Sequence, residues 1–467
     1  MKKIYTLCLM AAMALGMQAQ VTLVKDINPG TGNSSPAGLF VYNGKIYFAA
    51  DDANASVDHG KELWVSDGTE AGTYLVKDLN GTPEVPNSGN STPGNFFILN
   101  DQLYFTALTK TWMTDGTEAN TNDVLTSGIY FPQSDNSIVY YNNTVASNTL
   151  WSYDGITNAA VVNNGTITEK LSGGNLIVFN GKVMLYMEAD ATIGLELYEY
   201  DPATGIYSLI KDITGDDGNS GISNFTVLGD KLYFEALGGL WQTDGTADGT
   251  VAITSAASLS GVANLYAWND LLFLEGDNSS GDQLYVYNPA DGTTTNISNI
   301  SGTNTNHDPS DYCPYNGYLY YRGEDANDTN GHLFRTNGTS IEQLDDVVKD
   351  VDEIVVLNGK LYFEGEDAST ETTGNELFTF DPATIPTAIG DDAEINPISV
   401  YPNPSYGTIN VKGLNSERAA YSIYNLTGQC VAKGIVYNNQ ITFTQKGLYV
   451  LQIIDGTQKT VSKITVK

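Results

Sequence analysis

The sequence predicts an all-β protein whose main part is a β-propeller, a ring of small four-stranded sheets. Turn pairs such as Asn43-Gly44 and Asp67-Gly68 separate short alternating apolar runs, and they favour tight β-hairpins because both turn positions need positive φ. The pattern recurs eight times at intervals of 38 to 57 residues, which includes the usual length of a propeller blade. Residues 21–27 copy the fourth strand of repeat 1, as expected of a strand that closes the ring.

Each repeat is marked by a first hairpin turn and by an aromatic residue in its third strand. The first turns are assigned to Asn43, Asn100, Asn142, Asn180, Gly229, Asn269, Asn316 and Asn358. The aromatic residues are Trp64, Trp112, Trp151, Tyr198, Trp241, Tyr285, Phe334 and Phe378. We expect these rings to pack between adjacent sheets and not to form a stacking platform for sugars, because buried aromatic rings dominate such interfaces.

The repeat count favours eight blades. In repeat 3 the stretch YNNTVASNTLW has no clear second strand, so seven blades with a degenerate insertion stay open. Repeat 8 is followed by Pro386, which weakens any strand there, so residues 21–27 are predicted to supply the missing fourth strand.

The chain divides into four segments. Residues 1–19 have two lysines, an apolar run too short to span a membrane and small residues before Gln20, as in a secretory signal peptide, and no other stretch is long enough to be a transmembrane segment. Residues 20–390 form the predicted propeller, residues 391–396 an acidic linker and residues 397–467 a second domain of about seven short strands. Only Cys313 and Cys430 follow the signal, one in each domain, so no disulfide framework is expected.

Charge separates the two domains. The repeats and the linker together, residues 20–396, carry 13 basic and 53 acidic residues, a net charge of −40, whereas residues 397–467 have a net charge of +5. An acidic surface of this size repels nucleic acid and anionic membranes and favours basic partners or cations. Nucleic-acid binding is therefore excluded.

The last segment carries a set of short motifs in a fixed order. They are Tyr401-Pro402-Asn403-Pro404 with Gly407, then YNLTG at 424–428, KGLYVLQI at 446–453 and KITVK at 463–467. In this order they resemble the C-terminal sorting domain of the type IX secretion system of Bacteroidetes. The resemblance implies an immunoglobulin-like sandwich, the outer-membrane translocon and sortase-like processing machinery as partners, and a location on the cell surface or outside the cell, reached through the periplasm.

The repeats resemble a bacterial extracellular repeat of the form ELWxxDGTxxGTxxVKDI. Repeat 1 matches it through ELWVSDGTEAGT at 62–73 and LVKD at 75–78, repeats 2 and 5 keep most of the turn, and repeats 4, 6 and 8 replace it with DPATG, NPADG and DPATI. This resemblance implies a fold and no particular ligand. We interpret the Asp of the turn as a residue that caps the backbone.

No catalytic or cofactor-binding residue is predicted. His59, His307 and His332 lie in separate repeats without metal-ligand spacing, and no G-x-S-x-G turn or phosphate-binding loop is found in a strand-to-helix setting. A sialidase would need a cluster of arginines, whereas the repeats contain only Arg322 and Arg335. Paired carboxylates of a hydrolase stay open, because spacing does not decide which of them meet.

Acidic loops between second and third strands are the most variable part of the repeats. They lie at 51–60, 188–194, 275–281, 323–331 and 365–374, and in a propeller they share one face with the long blade-to-blade connections. We predict that this face is the interaction surface, because loops on a rigid ring carry specificity. If calcium binds, the best set of oxygen ligands is Asp325, Asn327 and Asp328, although solvated loops capped by their own carboxylates are the simpler interpretation.

These observations favour an exported or surface-attached noncatalytic binding or adhesion protein that recognises a glycan or a protein. The alternatives are an extracellular carbohydrate-active enzyme that uses loop carboxylates and a structural surface component without a dedicated pocket. A central pocket lined by converging carboxylates would favour the enzyme, and a shallow polar face would favour binding.

Overall fold

The computed structural model divides the chain into two compact units, Met1–Pro386 and Thr387–Lys467. It describes residues 21–53, 57–81, 89–125, 133–134, 137–142, 149–153, 158–160, 170–189, 192–279, 281–367, 373–385, 399–414, 419–425, 430–436, 439–455 and 458–467, and for 133–175 it describes the backbone. The predicted signal peptide and linker lie outside these residues. The described residues form no α-helix, and none of their elements is a helix that could cross a membrane.

The described residues of the first unit form eight antiparallel four-stranded sheets, numbered here in chain order. Sheet 1 consists of Ala37–Tyr42, Lys45–Asp51, Lys61–Ser66 and Tyr74–Lys77; sheet 2 of Gly94–Leu99, Gln102–Ala107, Lys110–Thr114 and Asn122–Leu125. Sheet 3 consists of Gln133–Ser134, Ser137–Asn142, Thr149–Tyr153 and Asn158–Ala160; sheet 4 of Lys170–Phe179, Lys182–Glu188, Glu196–Asp201 and Ile206–Lys211.

The second half of the unit continues the series. Sheet 5 consists of Ser223–Leu228, Lys231–Ala236, Gly239–Thr243 and Val251–Ala252; sheet 6 of Ser260–Trp268, Leu271–Asp277, Asp282–Asn288 and Thr293–Asn296. Sheet 7 consists of Ser310–Tyr315, Tyr318–Glu324, Gly331–Thr336 and Ile341–Gln343; sheet 8 of Val348–Leu357, Lys360–Asp367, Glu376–Phe380 and the early strand Val21–Lys25. Short 3₁₀ turns occupy Thr254–Ala256 and Pro382–Thr384.

Sheet 8 joins the beginning of the unit to its end. Val21–Lys25 pairs antiparallel with Glu376–Phe380, and Leu23 lies opposite Phe378. The first strand of sheet 8 also contacts the first strand of sheet 1. This arrangement is a β-propeller closed by its N-terminal strand, as the sequence predicts. The number of blades in the ring stays a prediction.

The first hairpin turns fall where the sequence places them, with one exception. Asn43, Asn180, Asn316 and Asn358 have φ between +48° and +51°, and each is followed by a glycine that also has positive φ, as expected for two-residue turns. The assignment of Asn142 is wrong: Asn142 ends the second strand of sheet 3, which pairs with Gln133–Ser134 across residues 135–136. Repeat 3 therefore has the second strand that its sequence does not make evident.

Adjacent sheets pack through apolar layers that contain the repeated aromatic residues. Trp64 lies in a layer shared by sheets 8 and 1, Trp112 in one shared by sheets 1 and 2, and Tyr285 in one shared by sheets 5 and 6. Their side chains are between 5% and 6% exposed. Trp151 has no described side chain. The interpretation of this row as core, and not as a sugar platform, is confirmed for the other seven rings, of which Trp241 is half-buried and the rest buried.

A buried acid two positions before the aromatic ties each of several sheets to the connection that follows it. Glu62 accepts hydrogen bonds from the backbone nitrogens of Leu79 (2.8 Å) and Ser91 (3.1 Å). Glu196 does the same for Ile213 at 3.0 Å. In sheet 6 Gln283 stands at this position, and its Oε1 accepts the nitrogen of Ile300 at 2.9 Å. The backbone groups of these connections thus find partners away from water.

The second unit is a small β-sandwich of seven strands. One sheet consists of Ser399–Tyr401, Thr408–Lys412 and Gln440–Thr442, and the other of Cys430–Ile435, Ala420–Tyr424, Gly447–Asp455 and Gln458–Val466. Ile409 and Val411 of the first sheet share one core with Ile423, Leu451 and Ile464 of the second. Such packing of two sheets face to face is expected for alternating apolar strands.

Candidate functional site

The two edges of the propeller sheets differ in character. At one, which we call the loop edge, lie the loops between second and third strands and the connections between sheets; at the other, the turn edge, lie the two kinds of tight turn. The loop edge is the predicted interaction surface. The longest described loops and the most buried ionisable side chains outside the strand cores are found there.

A bulge near the start of the first strand shapes the loop edge in every sheet except sheet 3. The register breaks between Ala263 and Tyr266 in sheet 6 and between Ser310 and Cys313 in sheet 7. Within these breaks Asn264 and Asp311 adopt φ of +50° and +54°. Asn and Asp tolerate this left-handed conformation better than most residues, which explains their presence here. From its bulge, the side chain of Asn264 reaches Glu275 of the second strand.

In these sheets, one position of the second strand pairs with the residue that stands just before the bulge of the first strand. In sheets 1 and 2 it is occupied by the small residues Ala49 and Thr106, whereas in sheets 5 to 8 it carries ionisable side chains: Glu235, Glu275, Arg322 and Glu364. With their neighbours on the bulges and connections, the last three form what we call the mouth cluster, defined as Glu275, Asp308, Asp311, Arg322, Asp352 and Glu364.

Arg322 is the cation of the mouth cluster. Its Nη1 donates to Asp308 Oδ2 at 2.7 Å and to the Asp308 carbonyl at 2.8 Å, and its Nη2 lies 3.6 Å from Glu324 Oε1. Burial alone would lower the pKa of Arg322, but Asp308 and Glu324 outweigh burial and raise it. Its charge is therefore already paired within the protein.

The acids of the cluster are held in an unfavourable setting for negative charge. Burial, followed by the nearby charges of Asp308 and Asp282, raises the pKa of Glu275 to about 7. Glu275 is 9% exposed and accepts a hydrogen bond from Asn264 Nδ2 at 2.7 Å. Burial also raises the pKa of Glu364, which accepts from Asn375 Nδ2 at 3.1 Å.

Asp311 and Asp352 bring two neighbouring sheets together through their carboxyl groups. Desolvation is the largest cause of the raised pKa of Asp352, and the neighbouring carboxyl group of Asp311 is the second. Asp352 is exposed to solvent.

The loop at 323–331, from which the calcium ligands are predicted, is filled by side chains of the protein. Asp325 Oδ1 accepts hydrogen bonds from the backbone nitrogens of Asn327 (2.7 Å) and Asp328 (3.0 Å). The carbonyl groups of Asp325 and Asp328 accept from Asn304 Nδ2 at 3.1 and 2.7 Å. Calcium at Asp325, Asn327 and Asp328 stays a prediction.

Sheet 1 holds a different group of acids. Among the described residues, Asp51, Asp52 and Asp58 form the set of three whose carboxylate oxygens all lie within 4.8 Å of one another. Asp52 also accepts a hydrogen bond from the nitrogen of His59 at 2.8 Å, and its other oxygen lies 2.7 Å from His59 Nδ1. The residues belong to the acidic loop of repeat 1, and the spacing of the sequence gives no sign that they meet.

The histidines stay apart in the structure. His307 is fully buried, with Nδ1 2.7 Å from the Glu324 carbonyl and Nε2 2.9 Å from the Tyr321 hydroxyl. Burial lowers the pKa of His307 to about 4, so the ring is neutral and structural at neutral pH. His332 lies with Nδ1 3.1 Å from the Val348 carbonyl.

A pocket opens on the turn edge, between sheets 5 and 6. Its volume is about 380 Å³. Tyr233 and Tyr287 form its base, with ring centroids 5.8 Å apart and planes at 57°. Asp230, Lys231, Gln242 and Asp270 contribute charged and polar groups to its wall. The pocket lies at the edge opposite the predicted interaction surface, and no motif in the sequence points to it directly.

The mouth cluster was also missed by sequence reasoning, although a signal exists. Aligning the repeats on their LYF-like second strands places Glu235, Glu275, Arg322 and Glu364 in one column. That column does not reveal which sheets adjoin or that bulges bring Asp311 and Asp352 together. Both facts depend on the register of the first strands.

In the second unit, the motifs at the two ends of the sorting-type sequence meet. Asn403 Nδ2 donates to the Lys463 carbonyl at 2.7 Å, and Asn403 Oδ1 accepts from the Thr465 nitrogen at 2.9 Å. Ser405 and Lys467 are joined by a backbone hydrogen bond of 2.9 Å. The YPNP and KITVK segments therefore form one side of the sandwich together.

Solved structures similar to this chain include propellers and larger hydrolases. The Dos1 propeller is 10% identical over 77% of this chain and 95% of its own, with a TM-score of 0.47. The β-propeller domain of the Trilobed protease from Pyrococcus furiosus is 13% identical over 68% of this chain and 99% of its own, with a TM-score of 0.41. A puromycin hydrolase is 10% identical over 84% of this chain, with a TM-score of 0.43, and this chain spans 61% of its length.

Comparison by sequence is informative for the second unit alone. No curated protein sequence matches the chain. The family model described as the secretion system C-terminal sorting domain matches residues 399–467, which confirms the resemblance noted from the YPNP, KGLYVLQI and KITVK motifs. The C-terminal part of this chain is therefore the C-terminal sorting domain of a type IX secretion cargo.

Proposed function

We propose that this exported propeller is a noncatalytic binding protein whose mouth cluster takes a protein ligand rich in lysine and arginine. The observation that carries the proposal is the composition of the cluster: it has five carboxyl groups and a single cation, Arg322, whose charge is paired with Asp308 and Glu324. Carboxyl groups crowded in this way repel one another, and a basic side chain relieves the repulsion. The acidic surface of the repeats would also speed the approach of such a ligand.

The test is binding of a lysine-rich peptide to the purified protein, measured by fluorescence anisotropy at low and at physiological salt. We expect binding that weakens with salt, because exposed charges are screened. The double variant Asp311→Asn, Asp352→Asn should weaken binding at least tenfold. The double variant Asp216→Asn, Asp217→Asn removes the same charge from another part of the loop edge and should bind like the parent protein. Equal weakening in both pairs would contradict the proposal.

A second candidate function rests on the same pair. Two neighbouring carboxyl groups are suited to act together as acid and base, as in hydrolases with paired carboxylates. The purified protein is therefore also incubated with polysaccharides and unfolded proteins. Release of reducing ends or peptides that disappears in Asp352→Asn would replace the binding proposal by a hydrolase, and absence of both binding and turnover would favour a structural surface component.

A further inference from the structure

The pocket on the turn edge lies at an interface that lacks a contact made at two other interfaces of the propeller. At those two interfaces a tyrosine of one sheet reaches over a glycine in the turn of the next. Tyr362 of sheet 8 lies over Gly68 of sheet 1, and Tyr47 of sheet 1 lies over Gly116 of sheet 2, so closely that a Cβ on either glycine would overlap the tyrosine hydroxyl. The hydroxyl fills the place of the missing side chain.

Sheets 5 and 6 have the tyrosine but not the glycine. Tyr233 occupies the same second-strand position as Tyr47 and Tyr362, two residues after the lysine that follows the first turn. The turn opposite it reads Asn288-Pro289-Ala290, so Pro289 stands where sheets 1 and 2 have Gly68 and Gly116, as Pro202 and Pro382 do in sheets 4 and 8. The turn itself is kept: Asn288 Oδ1 accepts the Ala290 nitrogen at 3.0 Å, as Asp67 Oδ1 accepts the Thr69 nitrogen at 2.9 Å.

Pro289 offers no such gap to the hydroxyl of Tyr233, and a pocket lies between the two sheets. This pocket of about 380 Å³ falls within the range of small-molecule sites. Its base is aromatic and its wall is polar, with both hydrogen-bond donors and hydrogen-bond acceptors. Asp230 and Asp270 accept hydrogen bonds, Lys231 donates them, and Gln242 does both.

We propose that this pocket binds one neutral sugar residue, such as the end of a polysaccharide chain. A sugar ring presents hydroxyl groups that both donate and accept around its rim, and less polar faces that suit Tyr233, Tyr287 and Pro289. Two carboxylates against one ammonium group give the wall no net positive charge, which disfavours phosphate or acidic sugars. The size of the pocket suits one ring and not an extended chain.

The test is saturation-transfer NMR and calorimetry of the purified protein with glucose, galactose, mannose and N-acetylglucosamine. We expect at least one of them to bind and Asp270→Ala to weaken that binding at least tenfold. Asp101→Ala is the matched control, because Asp101 has the same place in the first turn of sheet 2 and a similar φ, +57° against +60°. This control should bind as the parent protein does.

Gln242→Ala removes a second contact without altering the turn. If Asp270→Ala lowers the melting temperature more than Asp101→Ala does, sugar binding by Gln242→Ala decides whether the pocket is the binding site. If none of the four sugars binds, or if binding survives both pocket substitutions, the proposal is overturned. The outcome is independent of the mouth cluster, because Asp311 and Asp352 lie at the opposite edge and are tested with a peptide. A sugar that binds equally in Asp311→Asn, Asp352→Asn assigns the two ligands to separate sites.

Discussion

Glu376 accepts hydrogen bonds from the backbone of Ile27, at 2.9 Å, across a sequence separation of 349 residues. It also accepts from the nitrogen of Asn28 at 3.0 Å and from the hydroxyl of Ser34 at 2.6 Å. Glu62 makes the same kind of contacts, but with Leu79 and Ser91 of its own connection. One repeated acid therefore has a local role in sheet 1 and closes the ring in sheet 8.

Glu376→Ala should open the closure. The substitution leaves buried backbone N–H groups without an acceptor, which costs about 1–3 kcal/mol of the free energy of unfolding. We expect faster hydrogen exchange in Val21–Lys25, measured by mass spectrometry. Glu62→Ala is the control, since it should destabilise by a similar amount and leave exchange in that strand unchanged. Equal exchange of Val21–Lys25 in both variants would show that Glu376 does not hold the closure.

Gly68→Ala should destabilise the protein more than Gly245→Ala. Both glycines occupy the same turn position with similar φ, +91° and +95°, so the strain of about 1–2 kcal/mol from a Cβ at positive φ is shared. A Cβ at Gly68 would overlap Tyr362, whereas nothing lies within 4 Å of one at Gly245. The overlap should add about 1–3 kcal/mol, read from urea denaturation.

Tyr362→Phe provides the check on this difference. Removing the hydroxyl in the Gly68→Ala background should recover part of the loss, because the overlap involves that atom. Equal destabilisation in Gly68→Ala and Gly245→Ala would mean that the tyrosine moves aside without cost. That result would also weaken the account of the pocket beside Pro289.

The parts of this fold that can be predicted from sequence are those set by local chemistry. Asn43-Gly44 and its equivalents specify two-residue turns by themselves, and the copy of a fourth strand at 21–27 indicates closure. The wrong assignment at Asn142 also comes from local chemistry. An Asn-Asn pair has the composition of a turn, but the first strand of sheet 3 is the shorter segment Gln133–Ser134, which precedes it. A strand of two residues has too little alternation to be recognised.

The candidate sites depend on contacts between repeats, which no single repeat specifies. The proline in NPADG is visible in the sequence as a departure from DGT. Its consequence needs the knowledge that Tyr233 of the preceding sheet faces it. The pairing of Asp311 with Asp352 likewise depends on bulges in two first strands. Aligned repeats reveal the exceptional positions, and the ring geometry shows which of them meet.

Calcium is predicted to raise the melting temperature through the loop of sheet 1. The oxygens of Asp51, Asp52 and Asp58 lie within 4.8 Å of one another, so one ion can reach three carboxylates, each of which also accepts a backbone hydrogen bond. Asp58→Asn should abolish the increase seen by differential scanning calorimetry, and Asp325→Asn should keep it. No increase at millimolar calcium, or its loss in Asp325→Asn alone, would contradict this assignment.

The stability of the propeller should increase as the pH falls from 7 towards 5. Burial, against the hydrogen bonds from Ser91 and Leu79, raises the pKa of Glu62 to about 7, and burial likewise raises that of Glu376 to about 7. A carboxyl group whose pKa is higher in the folded chain binds its proton more tightly there. Its protonation therefore adds to the free energy of unfolding as the pH falls from the raised pKa of about 7 to the ordinary pKa of 4.5. The gain is on the order of 3 kcal/mol for each residue.

The measurement is the melting temperature across this range, compared with the double variant Glu62→Gln, Glu376→Gln. Glutamine does not titrate, so the double variant should show a smaller slope with pH even though its melting temperature is lower at neutral pH. The turn aspartate Asp67 acts in the opposite direction, because hydrogen bonds from Thr69 lower its pKa, and its contribution is lost only below this range. A melting temperature that rises from pH 5 to 8 in the parent protein, or an unchanged slope in the double variant, would show that these buried acids do not take up protons as proposed.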